Sequence, residues 1–516
     1  MSQKFTSTIA GASIFISIVG LLSRGLGFIR EMIFANNFGL ETEFDLYLVG
    51  AVLPISINSV ILYIGQNHFV PGFQKLNSSD SESAQKYYKQ SFILFVGAGT
   101  IIALLLFLTS DLIINFYMRL APAESKAMAS AIFKVFLLTI PFSAGISIFS
   151  ALLQSVYEFK FPAISILFLN ISIILLLIFL SARFGVYIIP IGFVLGTILQ
   201  FFYLLIKSRK FFKLNLSFRD SPLSLQRNLL SSSLVIIILI ESLSQLYSIF
   251  DRYFYGNISS GGIAAMNYAA IIWVLPIYIF SISLATAVFP IISKAVNDSS
   301  TEDMEKIYNE STLMNTFIFM PIAFVLFFYG DIIIRIFFER GKFVGESTAM
   351  TFGVLRIFSI SLVFYSVYAV LNKIFYSLNE SKLLLLITVA GLSIKLLFNF
   401  LLIDLEQNGL ALSTSLSYLF FFFASYTILN IKLKVKDKSL FIKDFIIHFT
   451  NCIICLILMK IVSDIYNVSN IYEEVLMIVF FLFIYLINLF LVKHNALVIS
   501  KRVIKRLNLN KFLRTE

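Results

Sequence analysis

The feature that most constrains this chain is a recurrence: stretches of about 20 apolar residues, each ended by a short polar break, fill nearly all of its 516 positions. A bilayer core about 30 Å thick is crossed by roughly 20 residues of helix. Within hydrocarbon the backbone must satisfy its own hydrogen bonds, which leaves only helices or closed barrels. The period-two alternation that a barrel requires is absent. About fourteen such stretches can be marked, the first at 9–29 and the last at 474–493. The chain is therefore expected to be all-α, a polytopic membrane protein of about 14 transmembrane helices. Composition agrees, with 59% hydrophobic and 13% charged residues and a mean hydropathy of +0.90. The first apolar run is long and has no small-residue cleavage site, so it is expected to stay as a helix rather than leave as a signal peptide.

Lysine and arginine collect in alternate breaks, and such loops stay on the cytoplasmic side. Lys207, Arg209, Lys210, Lys213, Arg219 and Arg227 follow the sixth stretch, and Lys432, Lys434, Lys436, Lys438 and Lys443 follow the twelfth. The break holding Glu41, Glu43 and Asp45 has neither cation and is expected outside. An even span count then places both termini in the cytoplasm, together with the basic tail Lys501, Arg502, Lys505, Arg506, Lys511 and Arg514. These inner-face residues account for most of the net charge of +11. They suit attraction to anionic lipid headgroups rather than nucleic-acid binding.

Several chemistries find no support. There is no G-x-x-x-x-G-K-[ST] loop to cradle nucleotide phosphates. The histidines His68, His448 and His494 are too scattered for a metal cluster, and Cys452 and Cys455 lie on an apolar helix, where small packing residues are expected. No metal and no cofactor are expected.

The chain also repeats itself. "FVPGFQKLNSSDSESAQKYYKQS" from 69 matches "VFPIISKAVNDSSTEDMEKIYNES" from 288, with Pro71 and Lys75 answering Pro290 and Lys294. "SDLIINFYMR" from 110 resembles "GDIIIRIFFER" from 330, and "SVYEFK" from 155 resembles "IFYSLN" from 374. One offset of about 220 residues across three separate breaks marks an internal duplication. It makes residues 1–220 an N-lobe of spans one to six and residues 221–435 a C-lobe of spans seven to twelve, leaving 436–516 as two further spans and a tail. Units with an even number of spans enter the membrane from the same side, so the lobes are parallel. That is the plan of an alternating-access transporter, whose substrate site lies between the lobes.

Intramembrane charges then speak for the cargo. A charge at mid-bilayer costs from roughly 2.5 to above 10 kcal/mol, so it normally faces water or a partner. Arg24 and Arg30 lie in the first span, Glu241, Asp251 and Arg252 in the seventh, and Lys134, Arg356, Lys373 and Lys395 in spans four, ten and eleven. Helical spacing puts Glu31 on the face of Arg24, with Arg30 about a third of a turn away. Cations outnumber anions, which favours an anionic cargo, and guanidinium suits the oxygens of phosphate.

"SRGLGFIREMIFANNFG" with the following "FDLYLVGAVLP", "FVPGF" at 69–73, "FFERGKF" at 337–343 and "NGLALSTSLS" at 408–417 together resemble the MurJ (MviN) flippases of the multidrug/oligosaccharidyl-lipid/polysaccharide superfamily. The resemblance implies export of an undecaprenyl-diphosphate-linked saccharide, lipid II in the best-known members, through a cationic cavity in the cytoplasmic (inner) membrane. Position by position it implies Ser23, Arg24, Arg30 and Asp45 as site residues, with Asp251 and Arg252 fitting the pattern of the seventh span. Two cavity arginines of the lipid II flippases are replaced, one by Asn58 and one by Ile271 within "YAAII". Lys373 and Lys395 are then the compensating cations, or the cargo is another glycan such as an O-antigen, capsule or exopolysaccharide unit. Transport is expected to draw on the membrane potential or an ion gradient, and the protein to act as a monomer among anionic lipids. A cation-coupled drug exporter and a membrane-bound polymerase or ligase are the rival readings. The first wants acidic residues in the lobes, and the second wants a long outer loop.

Overall fold

The computed structural model describes residues 9–78, 80–211, 232–466, 470–492, 494 and 496. Lys213, Arg219, Arg227 and the tail cations Lys501, Arg502, Lys505, Arg506, Lys511 and Arg514 lie outside the described residues. Among the described residues every regular element is helical.

In chain order the helices begin with α1 (Ile9–Phe38), α2 (Thr42–Ile64) and α3 (Val70–Asn77), the last two joined through a π-helical turn at Gly65–Phe69. Then follow α4 (Ser81–Leu108), the short α5 (Ser110–Tyr117), α6 (Ala123–Leu137), α7 (Thr139–Ser155), α8 (Lys160–Phe184), α9 (Ile188–Ser208) and α10 (Ser232–Tyr253). The rest are α11 (Gly262–Pro276), a second π-turn at Ile277–Ser281, α12 (Ile282–Asn297), α13 (Thr301–Phe338), α14 (Gly345–Ser377), α15 (Ser381–Leu401), α16 (Glu406–Lys432), α17 (Leu440–Tyr466) and α18 (Ile471–Leu491).

Eleven helical stretches among the described residues are long and apolar enough to cross a membrane. One of them, 160–208, contains both α8 and α9, which part at Gly185–Tyr187. The chain is thus a multi-pass membrane protein whose polar punctuation falls where the helices end.

The described residues pack as two compact units. The first comprises 1–264 with 340–343, and the second 265–339 with 344–516. The boundary differs from the one the duplication suggests, because α10, the seventh span, packs on α2 and so joins the first unit.

Within the first unit, α8 pairs with α1 and α9, while α7 sits among α2, α4 and α9. Its core is aromatic, with Phe69, Phe73, Tyr87 and Phe149 buried together. The Gly65 π-turn meets α7 closely: a Cβ there would lie 2.0 Å from Ser147 Oγ. With hydrogen in its place, Ser147 Oγ can donate to the Ile61 carbonyl at 2.8 Å.

Within the second unit, α14 packs along α13 and α16, and α17 and α18 pack on α13. A buried polar chain joins those last three helices. His448 Nδ1 and Tyr485 OH are 2.8 Å apart, and Tyr485 OH donates to the Phe317 carbonyl at 2.9 Å. Asn488 Nδ2 donates to Asn451 Oδ1 at 2.8 Å. Lipid drives no helix together by hydrophobicity, so interhelical hydrogen bonds of this kind, about 0.6–2 kcal/mol each, help hold the hairpin in place. Cys452 and Cys455 are buried free thiols in the same helix.

Candidate functional site

The surroundings of Arg30 explain how a guanidinium sits within an apolar helix. Its Nη2 donates to Glu31 Oε1 at 2.6 Å and its Nη1 to Asn170 Oδ1 at 3.1 Å. Its Cζ lies over two rings, 5.6 Å from the centroid of Phe34 and 5.5 Å from that of Phe193. A carboxylate, an amide and two aromatic faces together offset the desolvation of the charge. Arginine has five N–H donors, and Nε is buried with no partner. The fork is thus fixed in direction while keeping N–H groups uncommitted.

The helical wheel placed Glu31 with Arg24, yet the carboxylate goes to the adjacent Arg30. Cβ directions a third of a turn apart do not prevent two long side chains from meeting at their tips. Arg24 lies one and two-thirds turns earlier on α1 with an exposed side chain.

Asn170, in the apolar run of α8, was not foreseen. Its Nδ2 donates to the Ser23 carbonyl at 3.2 Å and lies 3.5 Å from Ser23 Oγ, while its Oδ1 receives Arg30. One buried amide thus ties Ser23 to Arg30. The available signal was a lone asparagine inside "ILFLNISII", since a polar group at that depth normally has a partner.

Asp45 is held by backbone. It is fully buried, and its oxygens accept from the amides of Gly261 and Ala264, each at 2.7 Å. Those amides belong to the start of α11, where unsatisfied N–H groups and the positive end of the helix dipole favour a carboxylate. Thr42 Oγ1 and Ser260 Oγ stand 2.6 Å apart beside it. Both oxygens are committed to backbone, so Asp45 anchors a helix end. Arg252 lies within electrostatic reach of Asp45 and Asp251, and its Nε is buried without a partner. Asp251 is buried.

Position 58 shows why an amide fits there. Asn58 Nδ2 donates to Thr139 Oγ1 at 2.7 Å, and that hydroxyl in turn donates to the Phe136 carbonyl at 2.6 Å. Ile271, on α11, is half-buried.

Lys373 and Lys395, the expected compensating cations, both belong to the second unit. Lys373 Nζ lies 6.0 Å from the ring of Phe289 and 5.9 Å from that of Tyr376. Lys395 is only 1% exposed and donates to Thr414 Oγ1 at 3.0 Å. Its ammonium is therefore interior to α15 and α16, unlike the exposed Arg24. Lys134 pairs with Asp111 at 3.1 Å, and the exposed Arg356 lies over Phe327 and Phe352. Among the described residues, no group of three or more His, Cys, Asp or Glu is arranged to hold a metal ion.

The profile of the family described as "Lipid II flippase MurJ" matches residues 34–487. A probable lipid II flippase MurJ of Buchnera aphidicola subsp. Schizaphis graminum is 28% identical, over 86% of this chain and 87% of that protein. The lipid II flippase MurJ of Thermosipho africanus is 26% identical, over 85% and 90%. A solved lipid II flippase MurJ in an inward closed conformation shares the fold with a TM-score of 0.78 at 24% identity, over 92% of this chain and 97% of that one. An inward-facing multidrug MATE transporter shares it at a TM-score of 0.65 and 15% identity, over 79% and 94%.

Proposed function

Since this chain belongs to the lipid II flippase MurJ family, we propose that it carries an undecaprenyl-diphosphate-linked saccharide, lipid II itself, from the inner to the outer leaflet of a bacterial cytoplasmic membrane. The observation that carries the reading is the family match over 34–487, to which relatives named as lipid II flippases add coverage of nearly their whole length. O-antigen flippase, drug exporter and polymerase have no comparable support, and the protein acts as a transporter rather than as a catalyst.

In this reading the chain crosses the membrane fourteen times with both termini inside, which α1, α10 and the parting of α8 from α9 support. Arg24 and Arg30 engage the diphosphate. Exposed Arg24 makes the first contact, and Arg30, braced by Glu31 and Asn170, presents a fork of fixed direction. A braced guanidinium loses little conformational entropy on binding, and its planar geometry matches phosphate oxygens. Alternating access then exposes the headgroup to the outer side. Moving one charge through the potential is worth about 2.3 kcal/mol per 100 mV, so an inside-negative potential assists exit of the anionic headgroup.

The test is complementation. This chain is expressed in cells depleted of their own lipid II flippase, and growth is scored alongside labelled lipid II reaching the outer leaflet. Rescue that disappears with Arg24→Ala, at unchanged protein level, is the expected result. A well-expressed chain without rescue, or a fully active Arg24→Ala variant, overturns the assignment.

A further inference from the structure

A cavity of about 260 Å³ opens among α13, α17 and α18. Apolar Phe328, Ile332, Met459 and Met477 line it together with a polar rim of Tyr329, Ser463, Asp331 and Glu474. It lies where α13 breaks: Tyr329 leaves helical geometry at φ −130° and ψ 18°. Arg335, adjacent to the lining, bridges two of its carboxylates through a single nitrogen, with Nη2 3.4 Å from Asp331 Oδ2 and 2.6 Å from Glu474 Oε2.

Two carboxylates against one guanidinium leave the rim one charge negative. Asp331 Oδ1 and Glu474 Oε1 accept no hydrogen bond from a described residue, and Arg335 donates to described residues only through Nη2, which leaves Nη1 uncommitted. The rim therefore offers carboxylate acceptors beside a guanidinium with Nη1 to spare, next to apolar side chains. We propose that this cavity binds a phospholipid whose headgroup carries a primary amine, as in phosphatidylethanolamine. The ammonium donates to Asp331 and Glu474, the phosphate accepts from Arg335, and the glycerol end lies against Phe328 and Met477. Drug-sized ligands fill pockets of about 300–1,000 Å³, so this volume suits a headgroup while the acyl chains remain in the bilayer. The distribution of basic loops puts this end of α13 on the outer side, making the occupant an outer-leaflet lipid.

The internal duplication supplies a control. Asp111 stands at the position equivalent to Asp331, and it too lines a cavity, of about 240 Å³. There the carboxylate is spent: Ser130 Oγ donates to it at 2.5 Å and Lys134 Nζ at 3.1 Å, and Lys126 adds a second cation to the wall. Only the second copy combines open carboxylate oxygens with a phosphate donor.

The experiment is native mass spectrometry of the full-length protein, delipidated and offered equal amounts of phosphatidylethanolamine, phosphatidylcholine and phosphatidylglycerol. The choline group has no N–H to donate, and glycerol carries no cation. Retention of phosphatidylethanolamine about tenfold above either competitor is expected, the factor that one charge-assisted hydrogen bond supplies. Glu474→Gln is expected to bring that preference below about twofold, as one such bond is lost. Ser463→Phe fills the cavity and leaves the Arg335–Glu474 pair intact, so it decides the matter if Glu474→Gln lowers thermal stability. Equal retention of the three lipids, or a preference that survives Ser463→Phe in a folded protein, overturns the proposal.

Discussion

Asn170→Ala is the sharpest probe of how α1 presents its arginine. The substitution deletes a charge-assisted bond from Arg30 at 3.1 Å and a neutral bond to the Ser23 carbonyl at 3.2 Å, while the 3.5 Å approach to Ser23 Oγ counts for little. Hydrogen bonds to charged groups contribute about 1.5–3 kcal/mol, and the lower end applies because Arg30 keeps part of its surface open. Glu31 and the two rings still hold the guanidinium, so the loss falls on the direction of the fork. About 1.5 kcal/mol of misorientation corresponds to roughly a tenfold slower flipping rate. The assay is transfer of labelled lipid II in proteoliposomes, run as a double-mutant cycle with Arg30→Lys, which keeps the charge and removes the fork. If Asn170 works through Arg30, the double variant is no slower than the slower single one. Multiplying effects, or an Asn170→Ala protein within twofold of the parent, would refute the reasoning, since uncoupled sites add to within about 0.5 kcal/mol.

Asp45→Asn turns an NH₂ group toward one of two buried amides now bonded at 2.7 Å. It is expected to destabilise the protein by about 1–3 kcal/mol, read as a lower melting temperature in detergent. Gly341→Ala forces a side chain onto a residue at φ +56°, with its Cβ 2.3 Å from the Asn36 carbonyl oxygen. The left-handed conformation alone costs about 1–2 kcal/mol, and the bond from Lys342 N to Asn36 O should lose its protection in hydrogen exchange. Asp80 caps α4 outside the spans, and the Ser83 hydroxyl, with the amides of Glu82 and Ser83, holds its carboxyl below the ordinary 3.8. A lowered carboxylate stabilises the fold above its ordinary value and stops doing so as pH falls through its folded value. Asp80→Ala should therefore lower the melting temperature at about pH 7, with the difference vanishing toward about pH 2.

Much of the architecture could be read from the chain because hydrocarbon is an unforgiving solvent. Apolar length marks a helix, and Gly185–Tyr187 or the break before Gly262 marks its end. The seventh span was the exception: the duplication assigns it to one lobe while its packing on α2 places it in the other unit. Repeat register records ancestry, whereas packing depends on which faces meet. For the expected site residues, the sequence names the side chains but not their partners. Asn170 is far from Arg30 in sequence, and no spacing rule links the two. Asp45 is a site residue by resemblance alone, and its partners, the amides at the start of another helix, come from packing that no spacing in the sequence reveals. Lys395 counted as a cation in the sequence, and its burial against Thr414 is a property of how α15 meets α16.

The two π-turns carry a consequence for length. A π-turn houses one residue more than an α-turn over the same rise, so Gly65–Phe69 and Ile277–Ser281 each hold a spare residue. Deleting a single residue there would let the segment close as ordinary α-helix with the downstream half kept in register. The same deletion elsewhere in those spans would turn every following side chain by about 100°. Relatives that differ by one residue in these spans are thus expected to gain or lose it at the π-turns, where the protein has the slack to absorb a change in chain length.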